Sequence, residues 1–463
     1  MKDKEVYDLE ISFDELLEAV NGIVIQDSPN KKFNDVSIDT RKIQKGNIFL
    51  ALKGENFNGN NYVKQAFEKG ATIAIVDEDV FNYLEIKDMG VVIKVKNGNK
   101  ALLSLAKFYR EKLGIKVIGI TGSTGKTSTK DITAALLSEK YKVFKTKGNF
   151  NNNIGLPLMI LQLDSSYDVA VLELGMSNLM EIHTLANCAR PDIALITNIG
   201  ISHIENLKTQ DNIFKAKMEI TDFFTDKNTL IVNSEDKYLN KVSSSNYKVV
   251  KTGINTEAEL TAYDIRLFED TTIFSVNING AKQEFTLNMV GQHNVLNAML
   301  GIGAALELGV NVEEMKKGLA NIENTSMRLE FIKNDKFTII NDCYNASPDS
   351  MKAGIDVLCS VENKGRKIAV LADMLELGDN SSEYHREVGE YISGKNIDEL
   401  VLFGTYAENI GKGSDKKYTC FETREDINDY LKNTLKQGDA VLFKGSRGMK
   451  LNECVDFLKG GLE

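Results

Sequence analysis

Apolar residues along this chain fall into three blocks with different rhythms. From the start to about residue 96 the periods are mixed: residues 13–20 read as a helix, and residues 47–51 and 71–76 read as strands. Residues 99–113 put Leu102, Leu105, Ala106 and Tyr109 on one helical face. Strand candidates at 115–120, 141–146, 168–174, 192–197 and 229–232 then alternate with helical segments, the pattern of a parallel sheet covered by helices. Residues 251–289 are β-rich and polar, as expected of an insertion at the edge of that sheet, and a helix with small residues opens at Gly291. Beyond about residue 327 strands (337–341, 367–371, 399–403, 440–444) again alternate with helices (350–361, 382–391, 427–435 and one at the end). The expected fold is α/β with three domains: an N-terminal mixed α/β domain (1–98), a central parallel-sheet domain (99–326) and a smaller C-terminal Rossmann-like domain (327–463).

Length and composition agree with several domains. A chain of 463 residues exceeds what one core organises, and 42% hydrophobic with 26% charged residues is the balance of a globular protein. No apolar run is long enough to span a bilayer, and the charged start, MKDKEVYDLE, is unlike a signal peptide. Membrane insertion is therefore not expected. Five scattered cysteines (Cys188, Cys343, Cys359, Cys420, Cys454) lack metal spacing and suit reduced packing residues in a cytoplasm. The net charge of −10 argues against a nucleic-acid partner, so anionic ligands must meet local basic groups. With only nine arginines, those in loops carry weight, and Arg41, Arg328 and Arg447 stand out.

The most specific chemistry lies in IKVIGITGSTGKTSTKDITAALL, residues 115–137: a strand, a glycine loop and a helix with Ile132, Ala135 and Leu136 at helical spacing. Gly122 and Gly125 let the backbone of Gly122, Ser123, Thr124, Gly125, Lys126, Thr127 and Ser128 approach an anion, with the helix N-terminus behind it. Lys126 would reach the β- and γ-phosphates of a bound nucleotide, and the Thr127 hydroxyl suits Mg²⁺. The strict phosphate-loop pattern has glycine where this chain has Ile120, with Gly119 one position earlier. The central domain is thus expected to bind a nucleotide through this phosphate loop, and the family resemblance given below makes it an ATPase domain. The loop does not specify the reaction.

Ligands of such sheets sit at the carboxyl ends of strands. There the chain carries KGNFNNNIGLPL with Asn149, Asn152 and Asn153, ELGMS with Glu173, and NIGISHIE with His203 and Glu205, followed by KAKMEI with Lys217. Together they look like a metal and phosphate site; singly each is as well explained as a turn or a structural residue. GQHNVLNA presents His293, Asn294 and Asn297 at a helix start, equally suited to helix packing and to an adenine contact. Ser37, Thr40 and Arg41 precede a strand and suit either a phosphorylated ligand or a solvated hairpin. The C-terminal domain has no dinucleotide fingerprint, so it is expected to complete a site through NDCYNASPDS, ADMLELGD and KGSRGMK.

In this order TGSTGKTS, GNFNNNIGLPL, ELGMS, NIGISHIE, KAKMEI, GQHNVLNA, RLE, NDCYNASPDSM, DMLELGD and KGSRGMK resemble the Mur ligases over nearly the whole chain. Within that family, GNFNNNIGLPL, NDCYNASPDSM and DMLELGD resemble the member that joins D-Ala-D-Ala to UDP-MurNAc-tripeptide, a cytoplasmic step of peptidoglycan precursor synthesis. NGNNYV at residues 58–63 departs from the acidic residues and histidine usual there. The resemblance implies ATP, two Mg²⁺ ions and an acyl-phosphate intermediate. It implies one Mg²⁺ held by Thr127 and Glu173 and another by His203 and a carbamate on Lys217. It further implies adenine contacts from Asn294 and Asn297, a ribose contact from Asp342, a γ-phosphate contact from Arg328, and the sugar nucleotide near Ser37, Thr40 and Arg41. Asn345, Lys444, Ser446 and Arg447 are expected to face the dipeptide, and Asn149, Asn152 and Asn153 to bind substrate. A monomer whose third domain swings in is expected. The alternatives are a sister ligase adding one amino acid, a polyglutamate-adding ligase, or a phosphate-loop switch that turns over nothing.

Overall fold

A computed structural model describes residues 9–268, 270–322, 326–333 and 336–460. Three sheets follow one another along the chain. The first has five strands, β1 (Ile23–Gln26), β2 (Val36–Ser37), β3 (Ile48–Leu50), β4 (Ile73–Val76) and β5 (Val91–Lys94), in the order β1-β5-β4-β3-β2. Only β1 runs antiparallel to its neighbour.

The second sheet holds β6 (Lys116–Thr121), β7 (Val143–Lys145), β8 (Val169–Glu173), β9 (Ile193–Ile196) and β10 (Thr229–Asn233). It continues through β11 (Lys248–Gly253), β12 (Leu260–Leu267), β13 (Thr272–Ile278) and β14 (Ala281–Leu287), in the order β14-β13-β12-β11-β10-β9-β6-β8-β7. The strands from β7 to β12 pair in parallel, while β12, β13 and β14 form an antiparallel meander. The polar stretch read as an insertion is therefore the edge of the same sheet, closed by the stacked, buried Phe274 and Phe285.

The third sheet, β15 (Glu330–Lys333), β16 (Phe337–Asp342), β17 (Lys367–Ala372), β18 (Glu399–Phe403), β19 (Lys417–Phe421) and β20 (Asp439–Lys444), runs β15-β16-β20-β17-β18-β19. Edge strands β15 and β19 and the helix Glu408–Gly413 were not expected from the pattern. Each of the three is short, and β19 is half-exposed, so its apolar signal is weak.

The helix Gly98–Leu113 joins the first two units. Asn97 caps it by accepting the Lys100 N–H at 2.9 Å, and Gly114 ends it in the left-handed region at φ +65°. Its predicted face is buried, and one continuous apolar cluster runs from Leu16 through Leu102 and Leu105 to Leu172 of the central sheet. Truncating Leu105 to alanine would cost about 2–5 kcal/mol. The next helix, Lys126–Ser138, departs from its expected amphipathic face: Ala135 is half-buried while Ala134 and Leu137 are buried, because helices Gln292–Glu307 and Val312–Ala320 cover it. Cys188, Cys343 and Cys454 are buried as packing residues, whereas Cys420 lies on the exposed side of β19, where no layer covers it. Among the described residues no helix is long and apolar enough to cross a membrane.

Candidate active site

A cavity of about 530 Å³ opens at the carboxyl ends of the central strands and is walled on its far side by the C-terminal domain. Its floor is the phosphate loop after β6. Gly122 at φ +151° and Gly125 at φ +79° hold backbone that side chains disfavour. A Cβ on Gly122 would meet the Thr197 side chain, and one on Gly125 would come within 2.8 Å of Asn297 Oδ1. Two residues at the end of β9 lace the loop: Thr197 Oγ1 donates to Thr124 O at 2.5 Å, and Asn198 Oδ1 accepts the Thr124 N–H at 2.9 Å. Ser123 Oγ accepts the Gly200 N–H at 2.9 Å. Ser123, Thr124, Gly125, Lys126, Thr127 and Ser128 all line the cavity.

Lys126 folds back on its own loop and donates to Gly122 O at 2.6 Å. Burial pulls its ammonium down to about 8; Arg328 adds to this, and Glu173 opposes it. The site therefore holds a cationic group in a place costly for charge, which an incoming polyphosphate would relieve. Arg328 donates to Thr127 Oγ1 at 3.0 Å and lies 4.1 Å over the ring of Tyr344. Its Nε is buried without a hydrogen-bond partner.

Glu173 ends β8 at 2% exposure, and its Oε1 has no hydrogen-bond partner. Lys130 Nζ stands 3.5 Å from that oxygen and donates to Thr146 O at 3.0 Å. A buried carboxylate oxygen without a hydrogen-bond partner and the Thr127 hydroxyl, lining one cavity, are a donor set that suits Mg²⁺, which keeps several waters and needs few protein ligands. Among the described residues no three His, Cys, Asp or Glu side chains gather into a metal-binding group. His203 lines the cavity with its Nδ1 2.6 Å from Glu376 Oε2 of the C-terminal domain. Lys217 is 2% exposed and does not line the cavity; burial and the charge of Lys126 hold its pKa well below the ordinary lysine range.

On the opposite wall Asn294 donates to Val290 O at 2.9 Å, and Asn297 donates to Asn294 Oδ1 at 3.2 Å. Burial holds neighbouring His293 neutral, pulled down to about 4. From the C-terminal domain come Asn345 and Asp342, the latter 2.5 Å from Lys444 Nζ. That pair is nearly buried, so Lys444 is committed to Asp342 and to Asn345 O at 3.1 Å. Ser446 and Arg447 do not line the cavity. Ser446 Oγ accepts the Leu375 N–H at 2.9 Å, and Arg447 is exposed beside Met327.

Asn149 and Asn152 line the cavity and Asn153 does not; Asn152 Oδ1 caps its own turn by accepting the Gly155 N–H at 2.8 Å. Ser37, Thr40 and Arg41 lie on the first domain, apart from this cavity. Arg41 pairs with Asp39 at 2.8 Å, Thr40 donates to Gln65 Oε1 at 2.8 Å, and Ser37 donates to Asp39 O at 3.0 Å. With its side chain 85% exposed, Arg41 holds a pair weak enough to exchange for a ligand phosphate. Sequence reasoning missed Thr197, Asn198, Asn151, Tyr344 and Glu376. Thr197 and Asn198 were within reach of the strand-end rule, since they directly follow the strand beside the phosphate loop.

Comparison with known proteins agrees along the length of the chain. Residues 32–110 match the Mur ligase family catalytic domain, residues 120–305 the Mur ligase middle domain, and residues 327–447 the Mur ligase glutamate ligase domain. The chain is 42% identical over 426 residues to the UDP-N-acetylmuramoyl-tripeptide--D-alanyl-D-alanine ligase of Bacillus subtilis, covering 91% of this chain and 92% of that protein. It is 31% identical to the enzyme of that name from Escherichia coli, covering 97% and 99%. Among solved structures, MurF from Acinetobacter baumannii superposes with a TM-score of 0.90 at 30% identity, covering 97% and 98%. MurF from Thermotoga maritima in complex with ADP gives 0.82 at 30% identity, covering 92% and 97%. The protein belongs to the Mur ligase family.

Proposed function

We propose that this protein joins D-Ala-D-Ala to UDP-MurNAc-tripeptide at the expense of ATP, releasing ADP and phosphate, in the cytoplasm and as a monomer. The observation that carries the reading is convergence. The phosphate loop of one sheet and the 342–350 loop of another face a single cavity, as a reaction needs when it activates a carboxylate on one side and admits an amine from the other.

A carboxylate is inert toward amines at neutral pH, so its oxygen must become a leaving group. A carboxylate oxygen of the tripeptide attacks the γ-phosphorus, ADP leaves, and an acyl phosphate results. The dipeptide amine, having lost a proton, attacks the acyl carbon; the tetrahedral intermediate collapses, expelling phosphate and forming the amide. Lys126 moves from Gly122 O onto the phosphates, and Arg328 leaves Thr127 for the γ-phosphate. Both would stabilise charge on the moving phosphoryl group, where most such catalysis resides. Thr127 and Glu173 would hold one Mg²⁺, and His203 with a carbamate on Lys217 a second; bound there, the ions supply charge neutralisation at phosphate and carboxylate oxygens. The depressed pKa of Lys217 supports the carbamate, because only a neutral amine adds CO₂, forming an N–C bond and releasing a proton. Asn294 and Asn297 would meet adenine and Asp342 the ribose. Asn149, Asn152 and Asn345 would line the peptide path and Asn153 would act from outside the cavity, with Lys444 fixing the 342–345 loop. Ser446 and Arg447 would act from outside the cavity, and Ser37, Thr40 and Arg41 would hold the uridine nucleotide.

The test is incubation with ATP, UDP-MurNAc-tripeptide and either D-Ala-D-Ala or single amino acids, read by mass. Product with the dipeptide alone is expected. Product with a single amino acid, or phosphate release with no ligated product, would refute the reading.

A further inference from the structure

Glu376 lies in the loop after β17, and its side chain crosses from the C-terminal domain to the central one, placing Oε2 2.6 Å from His203 Nδ1. The backbone repeats the crossing: the Glu205 N–H donates to Glu376 O at 3.4 Å, and Gly378 packs against Glu205. Stability does not account for the side-chain pair. The Glu376 side chain is 59% exposed and that of His203 25%, so solvent screens the contact, in which the hydrogen bond with His203 holds the Glu376 carboxyl below the usual carboxylate range. Surface pairs of this kind contribute about 0–1 kcal/mol. Both residues nevertheless hold left-handed backbone, His203 at φ +64° and Glu376 at φ +65°, which costs non-glycine residues on the order of 1 kcal/mol or more each and persists where the surroundings enforce it.

The enforcement on the C-terminal side is visible. Asp373 accepts N–H bonds from Thr405 at 2.8 Å, Tyr406 at 2.9 Å and Ala407 at 2.7 Å. His385, fully buried, accepts the Met374 N–H at 2.9 Å, and Ser446 Oγ accepts that of Leu375. A loop anchored at three consecutive residues fixes where the carboxylate of the fourth is aimed, and it is aimed at a histidine that lines the cavity. A carboxylate beside Nδ1 favours the proton on that nitrogen and leaves Nε2 with a free lone pair, the arrangement by which proteins orient histidine ligands of metals.

We propose that Glu376 is a positioning residue that holds the His203 imidazole with Nε2 free for the second Mg²⁺, so that seating the C-terminal domain and completing the metal site are one event. The proposal rests on the assignment of His203 to that ion. It would also give Ser446 a role outside the cavity, as an anchor of the loop that carries Glu376.

The test measures Mn²⁺ binding to the full chain by electron paramagnetic resonance, with a non-hydrolysable ATP analogue present, alongside the Mg²⁺ concentration for half-maximal ligation. Glu376→Gln and Glu376→Ala are expected to weaken one Mn²⁺ site roughly 10–100-fold and to raise the Mg²⁺ requirement in step. The melting temperature should not change, and Glu376→Asp should recover part of the affinity. Native Mn²⁺ affinity in Glu376→Ala, where His203→Ala has lost it, overturns this proposal alone. Native affinity in both variants removes His203 from the metal site and overturns the assignment with it.

Discussion

Gly122→Ala tests the phosphate loop at its tightest point. The added methyl would lie well inside van der Waals contact of Thr197 Oγ1, 3.0 Å from Thr197 Cβ and 3.1 Å from its backbone nitrogen, at φ +151°. Thr197 is buried at the end of a central strand and cannot retreat without giving up its hydrogen bond to Thr124 O. The backbone conformation, essentially restricted to glycine, costs alanine about 1–3 kcal/mol, and the lost buried hydrogen bond costs about 1–3 kcal/mol more. The native loop is thus disfavoured by roughly 2–6 kcal/mol, and with 1.4 kcal/mol per tenfold, ADP affinity should fall at least about 30-fold. Isothermal titration with ADP and Mg²⁺ reads this directly, and circular dichroism checks that the sheet remains. Thr197→Ala, which removes the hydroxyl without adding a clash, should lose less. Native ADP affinity in Gly122→Ala, or greater damage from Thr197→Ala, would refute the reasoning.

Lys126→Ala should abolish ligation with little loss of fold, by about 3–4 kcal/mol or on the order of a thousandfold in kcat, since the side chain serves phosphates from a loop; steady-state turnover near native would exclude it. Lys217→Ala should be nearly inactive and partly rescued by short carboxylic acids, whereas Lys215→Ala, on the exposed side of the same helix, should behave almost normally. Full activity of Lys217→Ala in CO₂-depleted buffer would end the carbamate reading. Asp342→Ala strands the nearly buried Lys444 ammonium and should cost about 3–5 kcal/mol, seen as a lower denaturant midpoint for the C-terminal domain; an unchanged midpoint would mean water already screens the pair. Small-angle scattering should show compaction when an ATP analogue and acceptor are added at saturation, because the cavity is walled by two domains; superimposable curves would count against closure.

What the sequence alone determined is what is local along the chain. The strand, glycine loop and helix of residues 115–138 are contiguous, and their apolar periods and glycines state the geometry without reference to anything distant. The same holds for the alternation that revealed two parallel sheets, since each strand carries its own buried run. Polar edge strands such as β15 and β19 escaped because a half-exposed strand of four or five residues leaves almost no period to read. The site needed the tertiary structure. Arg328 reaches Thr127 across 201 residues, and Lys444 reaches Asp342 across 102. Glu376 meets His203 only because loops from two separately built sheets come together beside the cavity. Which oxygen of Glu173 is left without a hydrogen-bond partner, and that Ser446 anchors a loop instead of facing the cavity, depend on the same packing. A residue's type and spacing show what chemistry it could do, but its partner is chosen by chain closure over long separations, which no local pattern encodes.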